Sequence, residues 1–157
     1  MSPLNASSGQ PRDFSGRVVL ITGAGSGVGL ECARVFAAHG AKLLLVGRSV
    51  EKLETAVATL ADETKAQAAI CAGDVTDPAF ATGAMAAAQE AFAAPAEVLI
   101  NNAGVIVRRD AVDTSDDEWR AVMQTNVDGV FYLSRAFAQQ LVYDGAIVNV
   151  SSTCGVV

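Results

Sequence analysis

Thr22-Gly23-Ala24-Gly25-Ser26-Gly27-Val28-Gly29 decides the reading of this chain. The octet follows Val18-Val19-Leu20-Ile21, a short apolar run bounded by a turn, which reads as a buried parallel strand. It precedes a helical pattern from residue 27 to 39. A glycine-rich turn between a strand and a helix is a place to put a diphosphate, because N–H groups and the positive helix end face the anion. Gly23 lets the chain leave the strand through a tight turn. Gly27 lacks a Cβ, so phosphate oxygens can approach the backbone. Gly29 lets the helix pack against the strand. Gly23, Ser26, Gly27, Val28 and Gly29 are therefore candidate cofactor-binding residues. A glycine-rich octet alone is also compatible with a tight surface turn. Its place at the first strand-to-helix junction is what points to nucleotide binding.

Downstream of the octet the pattern repeats. Gly40 ends the first helix, and Lys-Leu-Leu-Leu-Val-Gly (42–47) reads as a second strand. Ser49 caps a helix with Leu53, Val57 and Leu60 at helical spacing. Residues 68–72 read as a third strand. Asp77-Pro78 starts a helix, with a cap followed by proline at the first helical position, and the Ala-rich stretch 80–93 continues it. Residues 97–101 read as strand four. Ser115 and Glu118 form a capping box for a long helix over 116–141, and residues 146–150 read as strand five. The order βαβαβαβαβ, with apolar strands and right-handed crossovers, predicts a doubly wound parallel α/β sheet ordered 3-2-1-4-5. Residues 1–13 carry no periodicity and read as a flexible tail, leaving 14–157 as one domain.

Composition narrows the function. Of 157 residues, 51% are hydrophobic and 18% charged, a globular composition with a sizeable core. The net charge is −6 and no Lys/Arg run occurs, which excludes nucleic acid as an expected partner. No apolar run is long enough to span a bilayer, and no secretory signal pattern opens the chain, so no membrane partner and a cytoplasmic setting are expected. Cys32, Cys71 and Cys154 have no C-x-x-C spacing and read as reduced thiols without metal. The one histidine, His39, sits at a helix end and cannot build a metal cluster or a Ser-His pair alone.

In an open parallel sheet, ligands bind beyond the carboxyl ends of the strands. Strand two ends in Gly47-Arg48. Where a ribose 2′-OH is bound by a carboxylate, an acidic residue stands at this point; here glycine and then arginine do. Arg48 suits a 2′-phosphate by charge and fork geometry, which favours NADP(H) over NAD(H). Strand three is followed by Asp74-Val75, and strand four runs into Asn101-Asn102-Ala103-Gly104.

With these residues together, the chain resembles the short-chain dehydrogenase/reductase family. The resemblance is carried by Thr22-Gly-x-x-x-Gly27-x-Gly29, Asp74-Val75, Asn101-Asn102-Ala103-Gly104, Asn126 and Ile147-Val148-Asn149-Val150-Ser151-Ser152, in the family's order and spacing. It implies a Rossmann-like domain and NAD(P)-dependent hydride transfer between a small-molecule secondary alcohol and a ketone. It implies that Asp74 and Val75 flank the adenine, and that Asn102, Ala103 and Gly104 line the adenosine-side ribose and the passage toward the nicotinamide. Two catalytic candidates follow. Asn126 corresponds to the helix asparagine that holds a water in a proton relay, and Ser152 to the serine that hydrogen-bonds the substrate oxygen. Ser151 is the alternative if the register shifts by one. The helix at 116–141 usually faces a partner subunit in this family, so a homo-oligomer through it is expected.

The chain also departs from the family. The family's acid/base is a tyrosine followed four residues later by lysine, about thirteen residues after that serine. Here Val157 stands five residues after Ser152. Tyr132 is followed at the fourth place by Ala136, and Tyr143 by Ile147. A phenol with an ordinary pKa of about 10 is a poor base unless an ammonium stabilises its anion. The expectation is therefore a fold truncated relative to the family, an NAD(P)-binding portion without the Tyr/Lys pair. The alternative is a non-catalytic dinucleotide-binding module or remnant. Strand five is expected to be a sheet edge with an exposed apolar patch at Ile147, Val148 and Val150. Val105, Ile106, Val107, Thr153 and Cys154 are expected near the substrate.

Overall fold

Strand β1 (Val18–Thr22) is buried along its whole length, and its position at the centre of a parallel sheet explains why. The computed structural model describes residues 13–141 and 144–152. Residues 1–12 of the tail expected at 1–13, together with Tyr143, Thr153 and Cys154, lie outside the described residues. Five strands pair in the order β3-β2-β1-β4-β5, as the sequence predicts. The others are β2 (Lys42–Gly47), β3 (Ala68–Ala72), β4 (Val98–Asn101) and β5 (Ala146–Asn149). All four pairings are parallel.

The strict alternation of strand side chains splits the core into two layers. Val18, Leu20, Leu44, Val46 and Leu99 face one way, onto helices α3 (Pro78–Phe92) and α5 (Gly129–Gln140). Val19, Ile21, Leu43, Leu45 and Ile100 face the other way, onto α1 (Gly27–Ala38) and α2 (Val50–Thr64). Helix α3 lies close to the sheet because its buried contacts are small: Ala81, Ala84 and Ala88. The caps follow the sequence. The Ser49 hydroxyl accepts from Lys52 N–H, the Asp77 carboxylate from Ala79 N–H, and Ser115 and Glu118 form a reciprocal box.

The long helix expected over 116–141 is not uniform. It runs as α4 (Asp116–Met123), a π turn (Gln124–Asp128) and α5, ending at Gln140. The wide turn re-phases the helix so that two separate contacts are met. Asn126 reaches the loop after β4, and Gly129 sits so close to Val75 that a Cβ there would lie 2.9 Å from its Cγ2. Strand β5 pairs only with β4 among the described residues, and Ile147, Val148 and Val150 are 41%, 48% and 42% exposed, as its edge position requires.

Candidate functional site

The carboxyl ends of β1 and β4 are fastened through one hydroxyl. Thr22 Oγ1 accepts from the N–H groups of Asn102 and Ala103, both at 2.9 Å, and donates to the Ile100 carbonyl at 3.3 Å. The Asn102 side-chain amide donates back to the carbonyls of Thr22 (3.0 Å) and Gly23 (3.3 Å). Gly29 completes the joint. A Cβ there would collide with the Gly23 carbonyl oxygen and lie 2.6 Å from Asn102 Nδ2. Gly29 and Asn102 therefore hold the turn from behind.

In front of the turn the backbone is bare. Gly27 has φ +58°, and a Cβ built on it would meet nothing within 4 Å. This open face fits an anion cradle at the start of a twelve-residue helix, where the Ser26 side chain makes no cap bond of its own. Val28 is exposed beside it. Two small clefts flank the turn. One, about 130 Å³, brings together Arg48, Asp74, Val75, Ala103 and Gly104 with Gly23. The other, about 240 Å³, is lined by Ser26, Arg48, Ser49 and Lys52 beside Gly23 and Gly25. Seven of the eleven sequence-predicted cofactor residues thus line one or both clefts. Gly27 and Val28 lie on the open turn, and Gly29 and Asn102 lie outside both clefts.

The electrostatics of these clefts are simple. Asp74 accepts from Thr76 N–H at 2.9 Å, which holds its carboxyl below the usual carboxylate range, and the Arg48 guanidinium adds to the effect. Neither Arg48 nor Lys52 enters an ion pair among the described residues. Lys52 was not legible as a site residue. A lysine in a first helical turn reads as solvated; the fold places it beside the glycine turn, where it lines the second cleft and a Cβ added at Gly25 would lie 3.0 Å from its own.

A larger cavity of about 790 Å³ lies next to the β4–α4 loop. Asn126 and Ser152, the two catalytic candidates, both line it, with Val105, Ile106 and Val107. The Asn126 side chain is committed to the loop: its Oδ1 accepts from Val105 N–H and its Nδ2 donates to the Val105 carbonyl, each at 2.9 Å. Asn126 thus shapes the cavity wall with its side chain. At the sheet end behind it, Asn101 is buried. Its Nδ2 donates to Ser134 Oγ at 3.1 Å and to Asn149 Oδ1 at 2.9 Å, tying β4 to both β5 and α5.

These features converge with comparisons to known proteins. The family model for short chain dehydrogenases matches residues 17–157. The chain belongs to the short chain dehydrogenase family. A galactitol 2-dehydrogenase (L-tagatose-forming) of Cereibacter sphaeroides is 44% identical over 146 residues, covering 92% of this chain and 56% of that protein. An L-sorbose reductase from Gluconobacter frateurii, complexed with NADPH and L-sorbose, superposes with a TM-score of 0.85 at 29% identity, covering 94% of this chain and 56% of that one. A short chain dehydrogenase from Burkholderia cenocepacia in complex with NADP does so at 0.84 and 29%, covering 92% and 59%. The chain spans a little over half the length of these short chain dehydrogenases. Within that span lie the glycine turn, the strand ends and Ser152 that line the two clefts and the cavity described above.

Proposed function

We propose that this chain binds NADP(H) for an oxidoreductase that interconverts a secondary alcohol and a ketone. The observation that carries the reading is the joining of the bare glycine turn to a cleft holding Arg48 and Asp74 at the ends of neighbouring strands. The turn takes the diphosphate, Asp74 and Val75 flank the adenine, and Ala103 and Gly104 line the path toward the nicotinamide. Arg48 takes the 2′-phosphate, a group of nearly two negative charges that a guanidinium fork binds well. When bound, the nicotinamide supplies or accepts the hydride. Ser152 orients the substrate oxygen by a hydrogen bond. Asn126 holds the Val105 backbone in place as part of the wall that receives the substrate.

Sugar alcohols and ketoses are the substrate class we favour. Support comes from the names of the galactitol dehydrogenase and the sorbose reductase, and from the mix of apolar and polar side chains around the large cavity. Cys32 and Cys71 are free thiols, which supports a cytoplasmic setting. A second copy is the partner we assign to the α4–α5 run, where Val127 and Phe131 stand exposed four residues apart, with the Arg135 guanidinium 5.0 Å from the Phe131 ring centroid.

A second reading has its own observation. Neither tyrosine in these 157 residues is followed four places later by lysine, so a phenol–ammonium acid/base pair is not among them. On that reading the chain is a dinucleotide-binding module without catalysis. Titration with NADPH and NADH, followed by nicotinamide fluorescence, tests the cofactor claim: NADPH is expected to bind more tightly, and tighter NADH would overturn the role of Arg48. Assay of the same chain with NADPH and a panel of ketones tests the requirement for the pair. No turnover above background is expected, and measurable turnover would reject the requirement for the pair.

A further inference from the structure

The octet holds one glycine whose purpose the turn itself does not explain. Gly23 and Gly27 have positive φ, and Gly29 is crowded by the Gly23 carbonyl. Gly25 has no positive φ, and its close neighbours belong to α2. A Cβ built on it would stand 3.0 Å from the Cβ of Lys52 and 3.6 Å from the Lys52 carbonyl carbon. The bare Cα at Gly25 thus lets the first turn of α2 rest against the glycine turn, at a spacing that a side chain would widen.

The contact is fixed from the α2 side as well. Lys52 N–H donates to the Ser49 hydroxyl at 3.3 Å and Leu53 N–H to the Ser49 carbonyl at 3.2 Å, and Leu53 is buried in the core. The Lys52 backbone is therefore held in place, and its side chain lines the cleft of about 240 Å³ with Ser26 and Arg48. No residue from Thr22 to Gly29 is basic. Helix α2 supplies the cation that the octet lacks.

The two clefts beside the turn differ in charge. The one of about 240 Å³ is lined by Arg48 and Lys52 and by no carboxylate. The one of about 130 Å³ is lined by Arg48 and Asp74. Asp74, held below the usual carboxylate range, is ionised at neutral pH. A phosphate monoester carries nearly two negative charges there. The Asp74 carboxylate repels such a group from the smaller cleft, while two cations without an ion pair among the described residues draw it into the larger. Among the described residues, none of β5 or beyond lines either cleft.

We propose that Lys52 is the second cation of a 2′-phosphate seat in the larger cleft, sharing the phosphate with Arg48. This rests on the NADP(H) reading and divides its labour. The 2′-phosphate goes to the cleft without a carboxylate, and the adenine to the one with Asp74. Lys52 selects the cofactor and takes no part in hydride transfer.

Adenosine 2′,5′-bisphosphate and 5′-AMP differ by that one phosphate, and neither needs a nicotinamide site. Each is titrated into the unaltered chain by calorimetry, and the bisphosphate is expected to bind about tenfold more tightly or better. Lys52→Met, which keeps an unbranched apolar stem and removes the charge, is expected to weaken the bisphosphate about fivefold and 5′-AMP by no more than about twofold. Lys52→Arg keeps the charge and is expected to stay within about twofold of the unaltered chain for both. Equal losses for the two nucleotides in Lys52→Met would assign Lys52 to the 5′-phosphate and overturn the proposal. So would no loss for either, or a loss in Lys52→Arg as large as in Lys52→Met. In each of these cases the NADP(H) reading stands if the bisphosphate keeps its advantage in the unaltered chain. If the bisphosphate binds that chain no better than 5′-AMP, the NADP(H) preference falls and the role of Lys52 falls with it.

Discussion

On the proposed reading, Arg48 discriminates between two cofactors that differ by one phosphate. Replacing it by alanine removes a charged hydrogen-bonding partner worth about 1.5–3 kcal/mol, so NADPH affinity is expected to fall about 10- to 100-fold, while NADH changes far less. Lys52→Met is expected to act in the same direction with a smaller effect, because it lines only one of the two clefts that Arg48 touches. Both are read by nicotinamide fluorescence. Gly29→Ala tests the back of the turn. Its Cβ would meet backbone oxygen, which cannot swing aside, so a loss of about 3 kcal/mol and a fall in Tm of about 10 °C are expected by calorimetry. Arg48 and the glycines were legible in the sequence because their meaning is local: each follows a strand that the pattern locates. The position of Lys52 was not. A lysine near a helix start has an ordinary surface reading, and its place beside the glycine turn depends on what the fold brings opposite it. The same holds for the side chain of Asn102, whose amide donates to the carbonyls of Thr22 and Gly23.

Among the elements, the π turn was invisible in the sequence. Nothing in Gln124–Asp128 breaks a helical pattern, and the extra width serves distant partners, Val105 and Val75. The caps were legible because serine, aspartate and proline act within a few residues of themselves. They also set the response to acid. Glu118 accepts from Ser115 N–H and Asp74 from Thr76 N–H, and both carboxyls are held below their ordinary values, chiefly by those bonds. A carboxyl that binds its proton more weakly folded than unfolded stabilises the fold above the ordinary range near pH 4 and loses that contribution as pH falls through the lower folded value. Unfolding followed by circular dichroism is therefore expected to become easier below about pH 4. Glu118→Gln is expected to flatten part of that dependence. Strand β5 makes a different prediction. The N–H groups of Ala146 and Val150 donate to the carbonyls of Glu97, just before β4, and of Asn101 in β4, so by alternation those of Ile147 and Asn149 point to the open side. Their amides are expected to exchange far faster than those of β1, and equal protection in the two strands would contradict the edge.

For the whole molecule, the architecture was readable because parallel strands buried on both faces are nearly continuous apolar runs, and right-handed crossovers leave few orders for them. What the pattern could not say was how the helix faces divide between core and surface. Leu133 and Phe137 are buried, whereas Phe131 is 57% exposed, although all three fit an apolar helix. If that face meets a second copy, Phe131→Lys is expected to shift sedimentation toward the monomer without lowering NADPH affinity. The Thr22 hydroxyl has a wider consequence. With two amides of the loop after β4 and one β4 carbonyl gathered on it, this hydroxyl ties the glycine turn to the loop beside the large cavity. If a molecule that settles on one side stiffens the other, titrations in either order are expected to show each ligand strengthening the other by the same factor.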